Sequence, residues 1–371
     1  MKIGFDAKRL YNNFTGLGNY CRTVVDILTE RYPENGYFLY TPKIKEDSRT
    51  EPYLYSPQCT TVTPDSPFLR GLWRTFQVSR RADRDSLDIF HGLSNELPVR
   101  LNIPSVVTIH DVAFKTFPDM YHLPDRIIYD AKWKYACNHA DRIIAISTST
   151  KNDVIEFYGV DPNKIDVVYQ PVNSIYYTQE AGVRPQLPKK VRDHEYMLYV
   201  GSINSRKNLL GIIKAMELLP QDLRIPLIVV GNGREYKHEV LRYITARGLN
   251  NLIVFPSCHI GTAQLRYLYS NAAMLVYPSF YEGFGLPVLE ALLSKCPVVT
   301  SNISSLPEAA GPDSLLADPN DIGDISDKIR KVLTDSALRE KMINNGYQYA
   351  TGRFNPTRLA ESMMDTYKSI L

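Results

Sequence analysis

Two carboxylates stand with seven residues between them in the stretch SFYEGFGLPVLEALL (Ser279–Leu293), Glu282 before a Gly283-Phe284-Gly285-Leu286 turn and Glu290 after it. Acids beside glycines suit a hydrolase pair, a metal site, a nucleotide cradle, or only a capped helix. Pro287 fits the first helical position, because its missing N–H would have no partner there anyway. That places Glu290 in the first turn of a helix and Glu282 in the loop before it. A glycosidase pair must flank a bond across a cleft, which one short turn does not guarantee. A turn presenting backbone N–H groups, one carboxylate for sugar hydroxyls and a second for ribose hydroxyls suits a sugar nucleotide better. A capped helix with an incidental glutamate is the plain alternative.

Three further junctions carry residue types that could do chemistry. In YVGSINSRKNLL a strand ends at Gly201 and Ser202, and Arg206-Lys207 stand just before a helix. Cations are disfavoured at a helix N-terminus, which is itself partly positive, so a pair there makes sense if a diphosphate fills the gap; a solvated basic pair is the other reading. In LYNNFTGLGNY, Gly16, Leu17 and Gly18 precede a helix, where backbone N–H groups can approach an anion, or form merely a turn. The pattern is not GxGxxG, and no acid closes the next strand, so a nicotinamide site is poorly supported. In SVVTIHD, His110 and Asp111 end a strand at the edge where open α/β sheets bind ligands; a structural histidine fits the same pattern.

These residues need strands and helices to hold them, and the chain supplies both in alternation. KIGFDA, FLYTP, DIFHG, SVVTIHD and RIIAIS read as short strands, with helices at NYCRTVVDILTERY and TKNDVIEFYG. After a polar, proline-bearing stretch (residues 173–195) the rhythm restarts with YMLYVG, PLIVVG, LIVFP, MLVYPS and PVVTS, again separated by helical segments. Such alternation implies parallel sheets covered by helices, and the restart implies two doubly wound α/β domains rather than one barrel. The last helix, NPTRLAESMMDTYKSIL, aligns Leu359, Met363, Tyr367 and Ile370 on one stripe.

Composition bounds the function classes. The 371 residues are 44% hydrophobic and 22% charged, as in a globular protein of two domains. A net charge of +3 gives no argument for nucleic acid. Five scattered cysteines without ligand-like spacing read as reduced thiols of a cytoplasmic protein. MKIGFDAKRL lacks a signal-peptide core, and no apolar run approaches the roughly 20 residues of a membrane span. Any membrane contact is therefore expected to be peripheral, at the inner face.

YEGFGLPVLEA resembles the EX7E signature of retaining glycosyltransferases of the GT-B fold, glycosyltransferase family 4. YVGSINSRKN, SNISSLPEAAG (Ser301–Gly311), AISTSTKNDV (Ala145–Val154) and DPND (Asp318–Asp321) are similar to the same family in the same order, so the likeness covers nearly the whole chain. It implies two Rossmann-like domains facing across a cleft, an acceptor-side domain at 1–173 completed by a crossing helix at 357–371, and a nucleotide-sugar domain at 174–356. The resemblance implies that Arg206 and Lys207 clamp the donor diphosphate and that Glu290 holds the ribose. Glu282 would bind the sugar hydroxyls with the N–H groups of Phe284, Gly285 and Leu286. Gly16 to Gly18 would close over the phosphates, His110 would lie near the reacting centre, and Phe255 to Ile260 would border the base. It also implies no metal and no resident cofactor. Two departures stand out: Lys295-Cys296 replace a small residue and a glycine, and Ser202 stands where some relatives carry another arginine.

The expected activity is transfer of a hexose to a saccharide or lipid-linked saccharide acceptor in surface polysaccharide synthesis, with GDP-mannose the leading donor and a UDP-hexose the alternative. A sugar-nucleotide epimerase and a non-catalytic sugar-nucleotide-binding subunit remain as other classes. Asp83-Arg84-Asp85 sits in an arginine-rich, helical-looking stretch and reads as surface charge rather than a metal motif. That stretch, Phe68–Arg84, reads either as an amphipathic helix meeting an anionic lipid or as a core helix with a solvated arginine face. His91–Arg100 reads as a loop on the acceptor side.

Overall fold

The computed structural model describes residues 1–66, 70–178 and 182–371. Among the described residues thirteen short strands form two sheets, and every pairing within them is parallel. The first sheet contains β1 (Lys2–Asp6), β2 (Gly36–Tyr40), β3 (Cys59–Val62), β4 (Ile89–Gly92), β5 (Ser105–Ile109), β6 (Arg142–Ala145) and β7 (Ile165–Val167). The second contains β8 (Met197–Val200), β9 (Leu227–Val230), β10 (Ile253–Val254), β11 (Met274–Tyr277), β12 (Val298–Ser301) and β13 (Leu315–Ala317). Strands β5, β8, β11 and β12 are buried at every residue. That is why they read as unbroken apolar runs: helices cover both faces of a parallel sheet, so neither face needs polar residues.

The strand orders are β3-β2-β1-β4-β5-β6-β7 and β10-β9-β8-β11-β12-β13. Both reverse direction once, between β1 and β4 and between β8 and β11. This is the doubly wound pattern, and ligands of such sheets bind beyond the carboxyl ends of the strands at the reversal.

The chain divides into two compact units, Met1–Pro171 with Phe354–Leu371, and Val172–Arg353. In the first unit, Tyr20, Val24, Ile27 and Leu28 of the Gly16–Arg31 helix are buried against the sheet. The Pro356–Lys368 helix packs on that helix through Leu359, Met363, Met364 and Tyr367. Ile370 lies beyond its end, partly buried on the same core. In the second unit the core gathers Tyr199, Ile212, Ile213, Leu227, Val229, Val276 and Val299. Among the described residues no helix is long and apolar enough to cross a membrane.

Several local expectations need correction. Gly16, Leu17 and Gly18 form the first turn of the Gly16–Arg31 helix instead of preceding it, with Thr15 at the cap. The His91–Arg100 stretch begins inside β4, and His91 is a core residue whose ring nitrogens meet Tyr367 Oη (2.6 Å) and Thr108 Oγ1 (2.8 Å). In the arginine-rich stretch, Phe68 and Leu69 lie outside the described residues, as do residues 179–181 of the polar stretch. The remainder forms two helices, Arg70–Phe76 and Val78–Asp85, separated at Gln77. Trp73 enters the core while Leu72 and Phe76 are exposed. Arg74 bridges Asp6 (2.6 Å) and Glu96 (3.1 Å), and Asp85 pairs with Arg81 (3.1 Å) and accepts from Tyr40 Oη (2.7 Å).

Candidate active site

The reversal between β8 and β11 brings the basic pair and the first glutamate together. The strands lie side by side, with Met197 opposite Met274 and Leu198 opposite Leu275. Beyond β8 the chain passes Gly201 and Ser202 into a tight turn, Ser205–Lys207, capped by the Asn204 side chain, which accepts from the Lys207 amide (3.1 Å). Asn208, in the left-handed region at φ 55°, then starts the Leu209–Leu218 helix, and its Nδ2 donates to the Pro319 carbonyl (2.8 Å). Gly201 has φ 143°, and a Cβ there would stand 3.2 Å from Lys207 Cδ and Nζ, so a side chain would crowd the lysine where it folds back across the strand end. Beyond β11, the Phe280 amide donates to the Arg206 carbonyl (2.8 Å), with Ser279 Oγ 3.1 Å from the same carbonyl, and ties the two loops together.

Four groups converge on Glu282 Oε1: Lys207 Nζ (3.0 Å), Arg206 Nη1 (3.3 Å), Tyr277 Oη (2.9 Å) and Ser279 Oγ (2.9 Å). Lys207 also donates to the Tyr277 hydroxyl, and Arg206 to the Tyr281 carbonyl. All three charged side chains are at most 16% exposed. Burial alone would raise the Glu282 carboxyl, but the Lys207 ammonium and Arg206 guanidinium outweigh it and hold the pKa down to about 2. Two cations share one carboxylate, so the cluster keeps one surplus positive charge where water is largely excluded. Such a site favours an anion.

The turn carrying Glu282 is braced from β12. Ser304 Oγ accepts from the Glu282 amide (3.1 Å) and donates to the Glu282 carbonyl (2.7 Å). Ser305 Oγ donates toward the Glu282 and Phe284 carbonyls (both 2.8 Å), and Ser301 Oγ to the Ser279 carbonyl (2.5 Å). Sequence reasoning assigns this serine run no task, although small hydroxyl residues leaving the strand beside β11 are a signal that could have found it. Gly285, at φ 111°, lets the chain turn from Gly283 and Phe284 into the Leu286–Leu293 helix, and a Cβ there would meet Leu306 at 2.9 Å.

Because that helix starts at Leu286, Pro287 is its second residue and Glu290 lies in the second turn, not the first. Glu290 is half-buried and accepts from Tyr269 Oη (3.0 Å). Burial pushes its pKa up to about 7, against the pull of the Tyr269 and Tyr176 hydroxyls. A cavity of about 450 Å³ opens beyond β9 and β10, lined by Gly231, Asn232, Lys237, Phe255, His259 and Ile260 among others. Its mixture of backbone, aromatic and polar groups suits a planar heterocycle.

In the first unit, His110 follows β5 and is buried. Its amide donates to Asn95 Oδ1 (2.7 Å), and its ring meets Tyr20 edge-on at 4.5 Å. Nε2 lies 2.8 Å from the Leu93 carbonyl, which can only accept, so Nε2 carries the proton and Nδ1 the lone pair. Burial lowers its pKa to about 4, so the imidazole is neutral.

Comparison with known proteins agrees with the fold. Residues 15–174 match the family model described as Glycosyltransferase Family 4, and residues 184–349 that of Glycosyl transferases group 1. O-antigen chain mannosyltransferase B of Escherichia coli is 31% identical over 99% of this chain and 100% of its own length. Among solved structures, sucrose-phosphate synthase from Thermosynechococcus elongatus superposes with a TM-score of 0.79 at 19% identity, over 100% of this chain and 98% of its own. Anabaena HepE, in complex with UDP and glucose, superposes with a TM-score of 0.73 at 16% identity, over 99% of both chains. With two doubly wound sheets and a relative matched end to end, the chain belongs to the group 1 glycosyltransferases, glycosyltransferase family 4, of the GT-B fold.

Proposed function

We propose that the chain transfers mannose from GDP-mannose, with retention at the anomeric carbon and without a metal, to a saccharide or lipid-linked saccharide acceptor. The product belongs to a surface polysaccharide, and the enzyme works in the cytoplasm with peripheral contact at the inner membrane face. The observation that carries the chemistry is the convergence of Arg206 and Lys207 on Glu282 Oε1 with one positive charge to spare. Breaking a sugar–phosphate bond develops negative charge on the departing diphosphate. Fixed cations and N–H dipoles in a water-poor site stabilise that charge at little reorganisation cost. Lys207 and Arg206 take the diphosphate, with Gly201 and Ser202 beside them. Glu282 Oε2, which takes no part in the four contacts to Oε1, meets the sugar hydroxyls with the amides of Phe284, Gly285 and Leu286. Glu290 takes the ribose and the cavity at Ile260 the base. The choice of mannose rests on the Escherichia coli relative named for O-antigen mannosyl transfer.

The test is donor turnover by the purified chain in EDTA, with GDP-mannose and UDP-hexoses offered in parallel and the product anomer read by NMR. Consumption of GDP-mannose with an α-linked product supports the reading. Consumption of UDP-hexoses alone overturns the donor, and loss of activity in EDTA overturns metal independence. Lys207→Ala is expected to lower turnover on the order of a hundredfold or more, the scale of losing one transition-state charge contact. Turnover within about tenfold of the parent would remove Lys207 from the leaving-group clamp.

A further inference from the structure

Glu290 sits in a setting that its ribose role alone does not require. Its carboxyl accepts from Tyr269 Oη at 3.0 Å, and Tyr269, on the Thr262–Ser270 helix, is fully buried. The Tyr269 ring meets the Tyr176 ring edge-on, with centroids 6.1 Å apart. Tyr176 belongs to the short Ser174–Tyr177 turn and is 2% exposed. Its hydroxyl is buried without a hydrogen bond of good geometry, yet lies close enough to Glu290 to act on its carboxyl. One helical turn before Tyr269, Arg266 donates to the Thr178 carbonyl and to Thr178 Oγ1 (3.4 Å), fixing the far end of the segment that carries Tyr176. Among the described residues no cation forms an ion pair with Glu290.

We propose that Tyr269 and Tyr176 are positioning residues that orient the Glu290 carboxylate toward both ribose hydroxyls of the donor, and so set the preference for a ribonucleotide over its 2′-deoxy counterpart. The inference rests on the ribose role given to Glu290 above. A carboxylate offers about four lone-pair sites. Two phenols from behind and two ribose hydroxyls from in front fill all four. A half-buried acid held only by neutral donors keeps its acceptor strength for the ligand, whereas a cation would spend it on an ion pair. The Tyr176 hydroxyl, buried without a hydrogen bond of good geometry, is placed to donate to the Glu290 carboxylate as it turns toward the ribose. Removing one phenol leaves the carboxylate a second orientation and loosens its hold on the pair of ribose hydroxyls.

The experiment measures calorimetric affinities of GDP, UDP and their 2′-deoxy forms for the full-length chain, its Tyr269→Phe and Tyr176→Phe variants, and Glu290→Gln. Thermal melting confirms that each variant is folded, and a variant that fails to fold is replaced by Tyr→Met at the same position. The parent is expected to prefer the ribonucleotide about tenfold or more, the worth of one hydrogen bond to a charged group. Each Phe variant should lose most of that ratio, by weaker ribonucleotide binding with deoxynucleotide binding nearly unchanged. In turnover, the donor KM should rise several-fold with kcat little altered. Equal weakening toward ribo and deoxy forms, or an unchanged ratio, overturns the positioning role. If Glu290→Gln collapses the ratio while both Phe variants keep it, only the tyrosine inference fails. If the parent itself does not discriminate, the ribose role of Glu290 fails, and this inference with it.

Discussion

Glu282 and Glu290 lie on one short turn and helix, yet their surroundings push them in opposite directions, to about 2 and about 7. Both are penalised by burial, but only Glu282 has Lys207 and Arg206 against it. The consequences for stability have opposite signs. Glu282 ionises more readily folded than unfolded, so its contribution is present above its ordinary value of 4.5 and is lost as pH falls toward about 2. Glu290 holds its proton more tightly when folded. Its contribution is therefore present below 4.5 and is lost as pH rises to about 7. Urea unfolding at pH 5 and pH 8 checks this: the parent should lose on the order of 1–3 kcal/mol from this group between the two, and Glu290→Gln should not. An equal pH response in both proteins would contradict the assignment. On the proposed ribose role, the same titration should make nucleotide affinity rise with pH through about 7, as the carboxylate forms. The two acids were legible from type and spacing. Their contrast was not, because it comes from Arg206 and Lys207 pulling Glu282 down while burial without a cation pushes Glu290 up, and those cations are remote in sequence.

At the scale of elements, legibility tracked hydrophobic pattern. Strands buried on both faces and the amphipathic Gly16–Arg31 helix announce themselves. The Leu123–His139 helix does not: Leu123, Ile127 and Ile128 are exposed, and only Ala136 and Cys137 are buried, so no apolar stripe marks it. The Ser336–Arg353 helix buries Met342, Gly346 and Ala350, a stripe partly of small residues that hydropathy hardly registers. The turn after the Leu286–Leu293 helix shows the reverse, a departure in sequence that the backbone explains. Lys295 sits at φ 57°, where a glycine is the unstrained choice. The Lys295 amide bonds back to the Leu292 carbonyl (3.0 Å) and the Cys296 amide to Ala291 (2.9 Å), closing the helix end. Its ammonium covers the Tyr347 ring at 5.1 Å, a contact worth about 0.5–1 kcal/mol at an exposed site. Lys295→Ala and Lys295→Gly both lose that contact, so their difference isolates the backbone. Glycine should be the more stable by about 1 kcal/mol, the opposite of the order inside a helix. Chemical denaturation of the pair decides it, and an alanine variant at least as stable as the glycine one would show that the left-handed turn is not enforced.

At the scale of the whole chain, two sheets share one winding order, and the restart of the strand–helix rhythm after residue 195 makes that duplication legible in the sequence. The sheets differ in the loops beyond their central strands. Beyond β8 and β11 the second unit sets Arg206, Lys207 and Glu282 in one cluster, with Glu290 and the cavity at Phe255–Ile260 in the same unit. Beyond β1 the first unit spends its charges on each other, Asp6 and Glu96 on Arg74, and keeps His110 neutral. A nucleoside diphosphate should therefore draw its binding free energy mainly from the second unit. Binding to the native state alone stabilises it by RT ln(1 + [L]/Kd), about 2.7 kcal/mol at a hundredfold excess over Kd. Hydrogen exchange with GDP at that excess should slow residues 199–210, 229–233, 255–262 and 277–292 by tenfold or more. Exchange in β2 and β3, at the far edge of the first sheet, should change little. Slowing confined to the first unit, or spread evenly over both sheets, would place the nucleotide elsewhere and take the roles of Arg206, Lys207 and Glu290 with it.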